Sequence, residues 1–527
     1  MHPSVVWFKR DLRLVDHTAL CHAAQRGPVF CLYVIEPSVW ATPDASDLHY
    51  QFLIESLRAL DAELKHYAGR LHVVSGEVVD ILDRLLLVAP SFSLYSHEET
   101  GNAISYQRDQ AVGLWCRQRH IEWHECPQFG VTRGLKNRDH WKRHWDAHMN
   151  QMPLPQPLLE FAHLAWPAPA APTAAKLGLV TIDRQLDKQR QHGGRAKGLA
   201  ILDDFLRQRS ETYRGGISSP LSAPTACSRL SPYLAFGCLS LREVVHATRA
   251  KLATVTNSHQ KKGLSGFLSR LYWHCHFIQK LESEPQLEYA NLHRGYDGLR
   301  EAEWNQAHFD ALVNARTGWP MVDACVTMLR ETGWLNFRMR AMLVSVAAYP
   351  LWLHWRQVGL WLATQFLDYE PGIHWSQMQM QSGTTGINTA RIYNPIKQAY
   401  DHDPHGIFVR RWLPAMRRVP DTWLFEPWRM PAELQAKLGL QVGVDIALPL
   451  VDLEMATRQA KARLYTLRAE PAVKAGRLLI VKKHGSRKSK PFKPDSASAE
   501  SRLDKVAVNK RAVKQGADHA QTSFEFE

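Results

Sequence analysis

The sequence predicts two domains, an α/β domain with a doubly wound parallel sheet followed by an all-α domain. Residues 4–130 alternate short apolar runs with amphipathic stretches, which is typical of strands separated by helices. From Gly193 onward the apolar residues follow helical spacing, interrupted by short loops. We therefore divide the chain into an α/β domain, a linker, a helical domain and a basic tail, over residues 1–130, 131–192, 193–465 and 466–527.

Five apolar runs in the first domain are predicted strands: Ser4–Phe8, Val29–Ile35, Leu71–Val74, Phe92–Tyr95 and Ile121–His124. Between the second and third runs, apolar side chains recur at steps of three and four and form one helix face, made of Leu53, Leu57, Leu60, Leu64 and Tyr67. Strands that alternate with helices favour a parallel sheet. No G-x-G-x-x-G follows the first strand, so the glycine pattern of a nicotinamide-dinucleotide site is missing.

Composition identifies the linker and the tail. Pro and Ala dominate the passage from Pro153 to Pro172, which predicts an irregular connection. Residues 471–527 carry thirteen Lys or Arg against six Asp or Glu, with few aromatic residues, and we expect this tail to be disordered. It is either a solvated extension or a contact for DNA or for a signalling partner.

The remaining composition excludes several classes of protein. No uncharged apolar run reaches 18 residues and the N-terminus lacks signal-peptide architecture, so we expect neither a membrane span nor secretion. Eight scattered cysteines without a C-x-x-C suit reduced thiols in the cytoplasm, and we predict no metal site. The net charge is +14, half of it in the tail, which indicates a polyanionic partner such as nucleic acid.

The stretch from Thr332 to Trp412 carries the most specific signal. Its first part has helical patterning, yet Arg338 and Arg340 interrupt the apolar positions. Side chains two residues apart on a helix point in directions about 200° apart, so one of these arginines must face inward. An inward guanidinium needs a carboxylate or an anionic ligand. Asp368 and Glu370 are the candidate carboxylates.

Several words of the sequence resemble those of the photolyase/cryptochrome family of flavoproteins. In the stretch above they are TGWLNFRMR, FLDYE, RIYNP and FVRRWLP, in the family's order. Two more are SRLSPYLAFGCLS from Ser228 to Ser240 and VVWFKRDLRLVDHTAL from Val5 to Leu20. The resemblance covers roughly residues 4 to 465. It implies a photolyase-type antenna domain followed by a helical, catalytic domain that binds FAD.

The resemblance implies which residues hold FAD. From the residues alone, Cys227 to Pro232 is either a plain helix cap or a phosphate site built from hydroxyls and an arginine. The resemblance implies that this segment holds the pyrophosphate and that Arg340 and Asp368 pair beside the flavin ring. After Glu370 the chain departs from the family's asparagine-containing loop and is two residues shorter, and His374 is the candidate to approach the flavin N5. The implied set is Tyr213, Cys227, Ser228, Arg229, Leu230, Ser231, Trp334, Arg340, Asp368, Glu370 and His374. Cys227 replaces the usual threonine.

The family's electron relay of tryptophans is matched only in part. Trp375 corresponds to the end nearest the flavin and Trp355 to the middle position. Leu312 occupies the third position. The outer step must therefore use another aromatic residue, with Trp319, Trp352 and Trp361 as candidates, or be absent.

The implied lesion pocket departs from that of cyclobutane-dimer photolyases. Trp273 matches an aromatic ring on which a flipped base stacks. Arg270 stands where the family has an acid, Phe337 replaces an asparagine, and Met378 replaces a tryptophan. Arg338 is expected to contact a DNA phosphate. The predicted catalytic residues are Trp375 and Trp355, in electron transfer, and Trp273 and Phe337, at the lesion. The predicted DNA-binding residues are Arg270, Trp273, Arg338 and Met378.

Two functions remain open at this point. The first is a light-driven FAD-dependent photolyase that repairs pyrimidine dimers in damaged DNA, either single-stranded or as a duplex with the dimer flipped out. The second is a cryptochrome-like blue-light photoreceptor whose tail signals to a partner; a non-photochemical flavin oxidoreductase is a distant third. A monomer is expected in each case.

Ser105, Asn291 and Leu292 occupy the positions of the family's folate-antenna contacts but are not the residue types that make them. A second antenna chromophore would therefore bind by other contacts.

Overall fold

The computed structural model describes residues 2–166, 171–179, 189–387 and 391–485. Its N-terminal part is built on a five-stranded sheet in which every pairing is parallel. The strands are β1 (Ser4–Phe8), β2 (Val29–Ile35), β3 (Leu71–Ser75), β4 (Ser93–His97) and β5 (Trp123–Cys126). Their order is β3-β2-β1-β4-β5, so the predicted doubly wound sheet is confirmed.

The last two strands start one to two residues later than the sequence predicts. β4 includes Ser96 and His97, which are polar but fully buried, so they gave no apolar signal. The other strands match closely because both faces of the sheet are covered. Val6 and Phe8 pack into one hydrophobic cluster while Val5 and Trp7 pack into another on the opposite face.

The helices of this first part connect the strands. They are α1 (Thr18–Arg26), α2 (Pro37–Trp40), α3 (Asp47–Lys65), α4 (Val78–Val88) and α5 (Ala103–Arg119). Helix α3 buries the predicted face of leucines against the sheet, whereas Tyr67 lies beyond its end and is exposed.

The prediction of an irregular linker is wrong for one segment. Helix α6 (Trp141–Asn150) lies within residues 131–192. Trp141, Trp145 and Met149 recur every four residues and are all buried, which supplies the apolar face that stabilises the helix. The Pro/Ala-rich passage also contributes structure, since Val29 at the start of β2 exchanges backbone hydrogen bonds with Glu160 and Ala162.

The C-terminal part is helical, as predicted. Its helices are α7 (Arg195–Arg207), α8 (Tyr213–Gly216), α9 (Ala223–Ala226), α10 (Ser231–Ala235), α11 (Leu241–Thr254), α12 (Ser258–Ser283), α13 (Gln306–Val313), α14 (Pro320–Thr332), α15 (Phe337–Ala348), α16 (Trp355–Gln365), α17 (Pro371–Ser382), α18 (Pro395–His402), α19 (Ile407–Trp412), α20 (Ala432–Lys437), α21 (Leu453–Ala469) and α22 (Pro471–His484). Helices α14 to α17 contribute much of its largest hydrophobic cluster.

The two parts share a core. One hydrophobic cluster contains Val6 and Phe8 of the sheet together with Leu241 of α11 and Leu271 of α12. Asp16, in the loop after β1, is buried and receives hydrogen bonds from Ser240 and Arg242 at the start of α11. Apolar packing and a buried ion pair thus join the α/β part to the helical part.

The expectation of disorder is wrong for the first residues of the tail. Helix α22 spans Pro471–His484, and Val473 and His484 are buried. The basic composition concealed this helix because its lysines and arginines lie mostly on the exposed side. Residues 486–527 of the predicted tail lie outside the described residues.

All eight cysteines have free thiols. Among the described residues, no helix combines the length and apolar character needed to cross a bilayer.

Candidate cofactor and nucleic-acid site

The arginine that faces inward from α15 is Arg340. Its Nη1 and Nη2 donate to the two oxygens of Asp368 at 2.9 and 3.0 Å, and its Nε donates to the Leu335 carbonyl at 2.6 Å. The guanidinium also lies over the ring of Phe366, 4.1 Å from its centre. A bidentate pair with this much support has a fixed orientation. Of the two predicted carboxylates, the partner is therefore Asp368.

Asp368 is ionised at neutral pH. Burial by itself raises the pKa of its carboxyl, but the charge and hydrogen bonds of Arg340 outweigh burial and leave the pKa below its usual value. The pair therefore places a permanent, oriented dipole at the start of α17, where Asp368 precedes the helix by three residues.

Arg338 lies on the other side of α15, as the 200° rotation requires. Its Nε is buried and bonds to no described group, and no described carboxylate forms a salt bridge with it. Burial lowers the pKa of the nearby His402, and the charge of Arg338 lowers it further. This face of α15 therefore carries positive charge that a phosphate would balance.

The segment from Cys227 to Ser231 presents a second cation. Arg229 has φ of 61°, a left-handed conformation that costs energy in a residue with a side chain. Its guanidinium lies 3.9 Å from the centre of the Trp334 ring, and its Nε donates to the Gln191 side chain at 3.1 Å. Its two terminal nitrogens bond to no described residue. Burial lowers the pKa of Arg229 to about 10, as expected for a guanidinium short of a counter-charge.

The residues next to Arg229 differ in whether their side chains are free to contact a ligand. The Ser228 hydroxyl is partly accessible and is engaged by no described residue, while Ser231 interacts with Asp368. Leu230 is buried and offers only its backbone. Burial raises the pKa of the Cys227 thiol to about 11, so it is a neutral group at this position.

Tyr213 occupies an aromatic environment. Its ring packs edge-on against Phe205 and Phe267, with centroids 5.5 and 5.9 Å apart. Burial raises the pKa of its hydroxyl, which is therefore a neutral donor. Arg270 of α12 lies close enough for its charge to lower the pKa of this hydroxyl, so α12 borders the site near Tyr213.

Glu370 and His374 border the same region from α17. Glu370 is buried and pairs through Oε2 with Arg10 of the α/β part at 3.0 Å, while Oε1 has no partner among the described groups. His374 donates from Nε2 to the Gly359 carbonyl at 2.9 Å. Burial lowers the pKa of His374 to about 4, so the imidazole is neutral at pH 7.

Trp375 and Trp355 are in direct contact. Their ring centroids are 5.9 Å apart with planes at 73°, and both rings are buried. Leu312, at the third predicted relay position, is fully buried. None of Trp319, Trp352 and Trp361 makes a ring contact with Trp355 in the part of the chain that the structure describes. The structure thus brings together two of the predicted relay residues, and apart from Trp375 the only described ring in contact with Trp355 is that of His354.

The residues predicted at the lesion differ in accessibility. Trp273 and Arg270 are partly exposed on α12, and Phe337, the first residue of α15, is 38% exposed. An apolar ring this exposed beside a cationic helix start suits contact with a base. Met378 is only 2% exposed and packs inward toward Gly359, so it offers no surface to DNA and we remove it from the proposed interface.

Three polar residues support this site through contacts that the sequence analysis did not predict. Arg10 pairs with Glu370, Gln191 bonds to Arg229, and Asn291 accepts the indole N–H of Trp355 at 2.8 Å. Each reaches its partner across 38 or more residues of sequence, so no local spacing could have shown the contact. Only Arg10 lay within a recognised word, VVWFKRDLRLVDHTAL.

In the predicted antenna domain, charged side chains pair with one another at the carboxyl ends of β1 and β4, where the strand order reverses and ligands commonly bind. Arg108 bonds there to Glu36, Glu99 and Asp109 at 3.1, 2.6 and 2.9 Å. Lys9 also bonds to Asp109, at 3.1 Å. Most of these charges are thus paired, whereas Glu36 Oε2 is buried without a hydrogen-bond partner among the described residues.

Comparison with known proteins agrees with this geometry. Residues 4–131 match the model of the DNA photolyase family and residues 267–466 match the FAD binding domain of DNA photolyase. The chain is 28% identical to a deoxyribodipyrimidine photo-lyase of Agrobacterium fabrum, over 90% of this chain and 98% of that protein. It is 27% identical to a cryptochrome DASH of Gloeobacter violaceus, over 85% and 93%.

A solved structure shows the same architecture. A bacterial class III photolyase from Agrobacterium tumefaciens superposes with a TM-score of 0.79 at 25% identity, covering 89% of this chain and 98% of that one. Together, the two family matches, the shared fold and the Arg340–Asp368 site assign the relationship. This chain belongs to the photolyase/cryptochrome family.

Proposed function

We propose that the chain is a light-driven, FAD-dependent DNA photolyase that acts on ultraviolet-induced pyrimidine dimers. The observation that carries this proposal is the grouping of two cations, Arg340 paired with Asp368 and Arg229 without a salt-bridge partner among the described residues, which lie close enough to act on one another's charge. Ring contacts lead from Phe366, under the Arg340 guanidinium, through His374 and Trp375 to Trp355. One region thus provides groups for an anionic cofactor and an aromatic path for electrons.

The described residues fit FAD. Arg229 has two terminal nitrogens free of described partners and, with the available Ser228 hydroxyl, suits the pyrophosphate. The buried Oε1 of Glu370 lacks a partner, as a group reserved for a bound ring would. Arg340 and Asp368 supply a fixed guanidinium and carboxylate for the flavin side.

Reduced FAD supplies the light absorption and the transferable electron that split a pyrimidine dimer. The chain's own residues position this cofactor and shield it. Arg340 keeps one orientation because Asp368, Leu335 and Phe366 all hold it. His374 is neutral and buried, so it adds no competing charge to the site.

The proposed DNA contacts lie on α12 and at the start of α15. Trp273 and Phe337 offer partly exposed aromatic rings for an extruded base, and Arg338 offers a cation for the backbone. Arg270 replaces the acid that would accept hydrogen bonds from a pyrimidine edge. This guanidinium can only donate, so it suits the carbonyl oxygens of the lesion.

The second candidate is a cryptochrome-like photoreceptor with the same cofactor. The replacement of the acid by Arg270 and the presence of a basic segment after α22 favour it. In this function the Trp375–Trp355 pair changes redox state under light, and DNA repair is weak or absent. Illumination of the protein with damaged DNA separates the two functions.

The deciding experiment uses purified full-length protein with bound, pre-reduced flavin. A dimer-containing oligonucleotide is illuminated with blue light, and intact dimer is quantified by chromatography, with a dark sample as control. Light-dependent loss of dimer is expected, and Trp273→Ala should reduce it while retaining flavin. Tyr67→Ala, an exposed aromatic substitution in the other domain, is the matched control.

Two results would contradict the proposal. Protein that is colourless and takes up no FAD would end the flavin assignment. Protein that holds reduced FAD but leaves both cyclobutane and 6-4 dimers intact would exclude the photolyase and leave the photoreceptor.

A further inference from the structure

A hydrogen bond joins Tyr369, between α16 and α17, to Asp44 in the loop between α2 and α3 of the α/β part. The Tyr369 hydroxyl donates to Asp44 Oδ2 at 2.6 Å, the length of a charge-assisted bond from a hydroxyl to a carboxylate. The same oxygen accepts from the Asn102 side-chain amide at 3.2 Å. Asp44 is 4% exposed and forms no salt bridge with any residue that the structure describes. This carboxylate can therefore take up a proton without breaking an ion pair.

The hydroxyl proton stays on Tyr369 while the protein is at rest. Burial raises the pKa of the Tyr369 phenol well above its usual value, and the charge of Asp44 raises it further. Removal of an electron reverses this preference, because an oxidised phenol is a strong acid. A base already at hydrogen-bond distance can then receive the proton. Tyr369 and Asp44 are thus arranged so that loss of an electron and transfer of a proton occur together.

Tyr369 also lies next to Trp375, the residue proposed for the flavin end of the electron relay. The ring of His374 contacts both side chains edge-on, with its centroid 5.1 Å from that of Tyr369 and 4.9 Å from that of Trp375. The Trp375 N–H makes no well-aligned hydrogen bond within the described ranges, yet it lies close enough to the Tyr369 hydroxyl to act against the rise in its pKa. An electron therefore has only a short distance to cross between Tyr369 and Trp375.

The aromatic residues differ in their access to solvent. Trp375 and Trp355 are 0% and 1% exposed, so a reductant dissolved in water has no direct contact with either ring. Tyr369 is partly exposed. Asp44 and Glu288 both place negative charge near its hydroxyl, which favours a site from which an electron is withdrawn. Tyr369 thus offers an outer step for the relay, for which Leu312 supplies no ring.

We propose that Tyr369 is a second electron donor of the flavin site and that Asp44 is its proton acceptor. The inference rests on the proposed function, which supplies oxidised, photoexcited flavin as the final electron acceptor. Trp375 gives an electron to that acceptor, and Tyr369 gives one to Trp375. As the electron leaves Tyr369, its Oη–H bond breaks and the proton moves to Asp44 Oδ2. The products are a neutral tyrosyl radical and a neutral carboxylic acid. A one-electron reductant in solution, such as a thiol, then returns the electron while the proton moves back.

The test is electron paramagnetic resonance of full-length protein that holds oxidised FAD and is frozen under blue light. Protein grown on ring-deuterated tyrosine is compared with unlabelled protein, because the label narrows the spectrum of a tyrosyl radical and leaves that of a tryptophanyl radical unchanged. A tyrosyl signal is expected, and its formation at room temperature, followed by transient absorption, should be slower in heavy water.

Two substitutions assign the signal. Tyr369→Phe keeps the ring and should lose the tyrosyl radical. Asp44→Asn keeps an oxygen that accepts the hydrogen bond but cannot hold the proton, so the signal should fall several-fold. Tyr50→Phe is the matched control, because the buried Tyr50 hydroxyl donates to a neutral acceptor, the Pro172 carbonyl. Its tyrosyl signal should equal that of the unaltered protein.

A hydrogen bond that only joins the two parts of the chain predicts a different outcome. Both substitutions would then lower the melting temperature while a tyrosyl signal persisted in Tyr369→Phe, and this persistence overturns the proposal. A tryptophanyl signal alone in the unaltered, labelled protein also overturns it, leaves the flavin assignment intact and requires no variant to fold. The absence of every light-induced radical contradicts the Trp375–Trp355 relay and this inference together. Loss of dimer with pre-reduced flavin is measured independently, so the photolyase proposal and this inference can fail separately.

Discussion

The indole rings of Trp355 and Trp375 touch edge to face inside the helical domain, 5.9 Å between centroids. The Trp355 N–H is fixed by Asn291, so the pair has one geometry. Trp355→Phe should slow flavin photoreduction roughly tenfold or more, because a step across the vacated position adds ~1.4 kcal/mol or more to the barrier. Absorbance under blue light with an external reductant measures the rate.

The control for this substitution is Trp115→Phe in α5, a buried indole in the other domain. Its photoreduction rate should match that of the unaltered protein. An unchanged rate in Trp355→Phe would show that electrons reach the flavin by another path.

Asp368→Asn should destabilise the protein by about 1–3 kcal/mol, because the Arg340 guanidinium loses its charged partner. The melting temperature and the unfolding free energy in urea measure the effect. A double variant, Arg340→Met with Asp368→Leu, should recover part of the loss, since it leaves no unpaired charge. Equal stability of Asp368→Asn and the unaltered chain would mean that the pair has no net effect on folding.

Two substitutions of Arg229 can separate its effect on cofactor binding from the cost of its backbone strain. Both Arg229→Met and Arg229→Gly should weaken FAD binding by about 10- to 100-fold, because each removes the cation proposed for the pyrophosphate. Only the glycine variant should gain apoprotein stability, by about 1 kcal/mol, since glycine adopts φ of 61° without strain. Fluorescence titration with FAD measures affinity, and Arg207→Met, at an exposed ion pair, is the control.

Stability should depend on pH through Asp16. Although burial opposes it, hydrogen bonds from Arg242 and Ser240 lower the pKa of Asp16 from 3.8 to about 2. A lowered pKa means that the folded chain binds the proton less readily than the unfolded chain. The contribution, about 2 kcal/mol, is therefore complete above pH 4 and is lost as pH falls toward 2.

Asp16→Asn tests this directly, because asparagine also tolerates the φ of 54° at this position. The variant should be less stable at pH 7, and its urea midpoint should vary less between pH 4 and 2. Asp203→Asn, at an exposed pair on α7, should retain the original pH dependence. The same slope in Asp16→Asn would assign the acid sensitivity to other carboxylates.

The sequence alone was sufficient to predict the structure wherever the pattern that determines it is local. The strand Val29–Ile35 is continuously apolar, and its bounds were predicted without error. The inward arginine followed from helix geometry alone, and its partner Asp368 was one of two candidates. The family words then assigned cofactor roles that spacing could not supply.

The failures arose where composition and local pattern disagree. Helix α6 lies in a segment judged by its prolines, although Trp141, Trp145 and Met149 already formed an apolar face. Helix α22 was hidden by its charge. Long-range partners such as Arg10 for Glu370 depend on how the two domains pack, which a single sequence does not contain.

The hydrophobic cluster that runs from the sheet into α11 and α12 determines how this protein can be divided. A cut in the linker would leave Val6 and Phe8 on one fragment and Leu241 and Leu271 on the other, each facing water. Neither half is an independent module, so transplanting the helical half onto a different N-terminal domain requires carrying the inner face of the sheet with it.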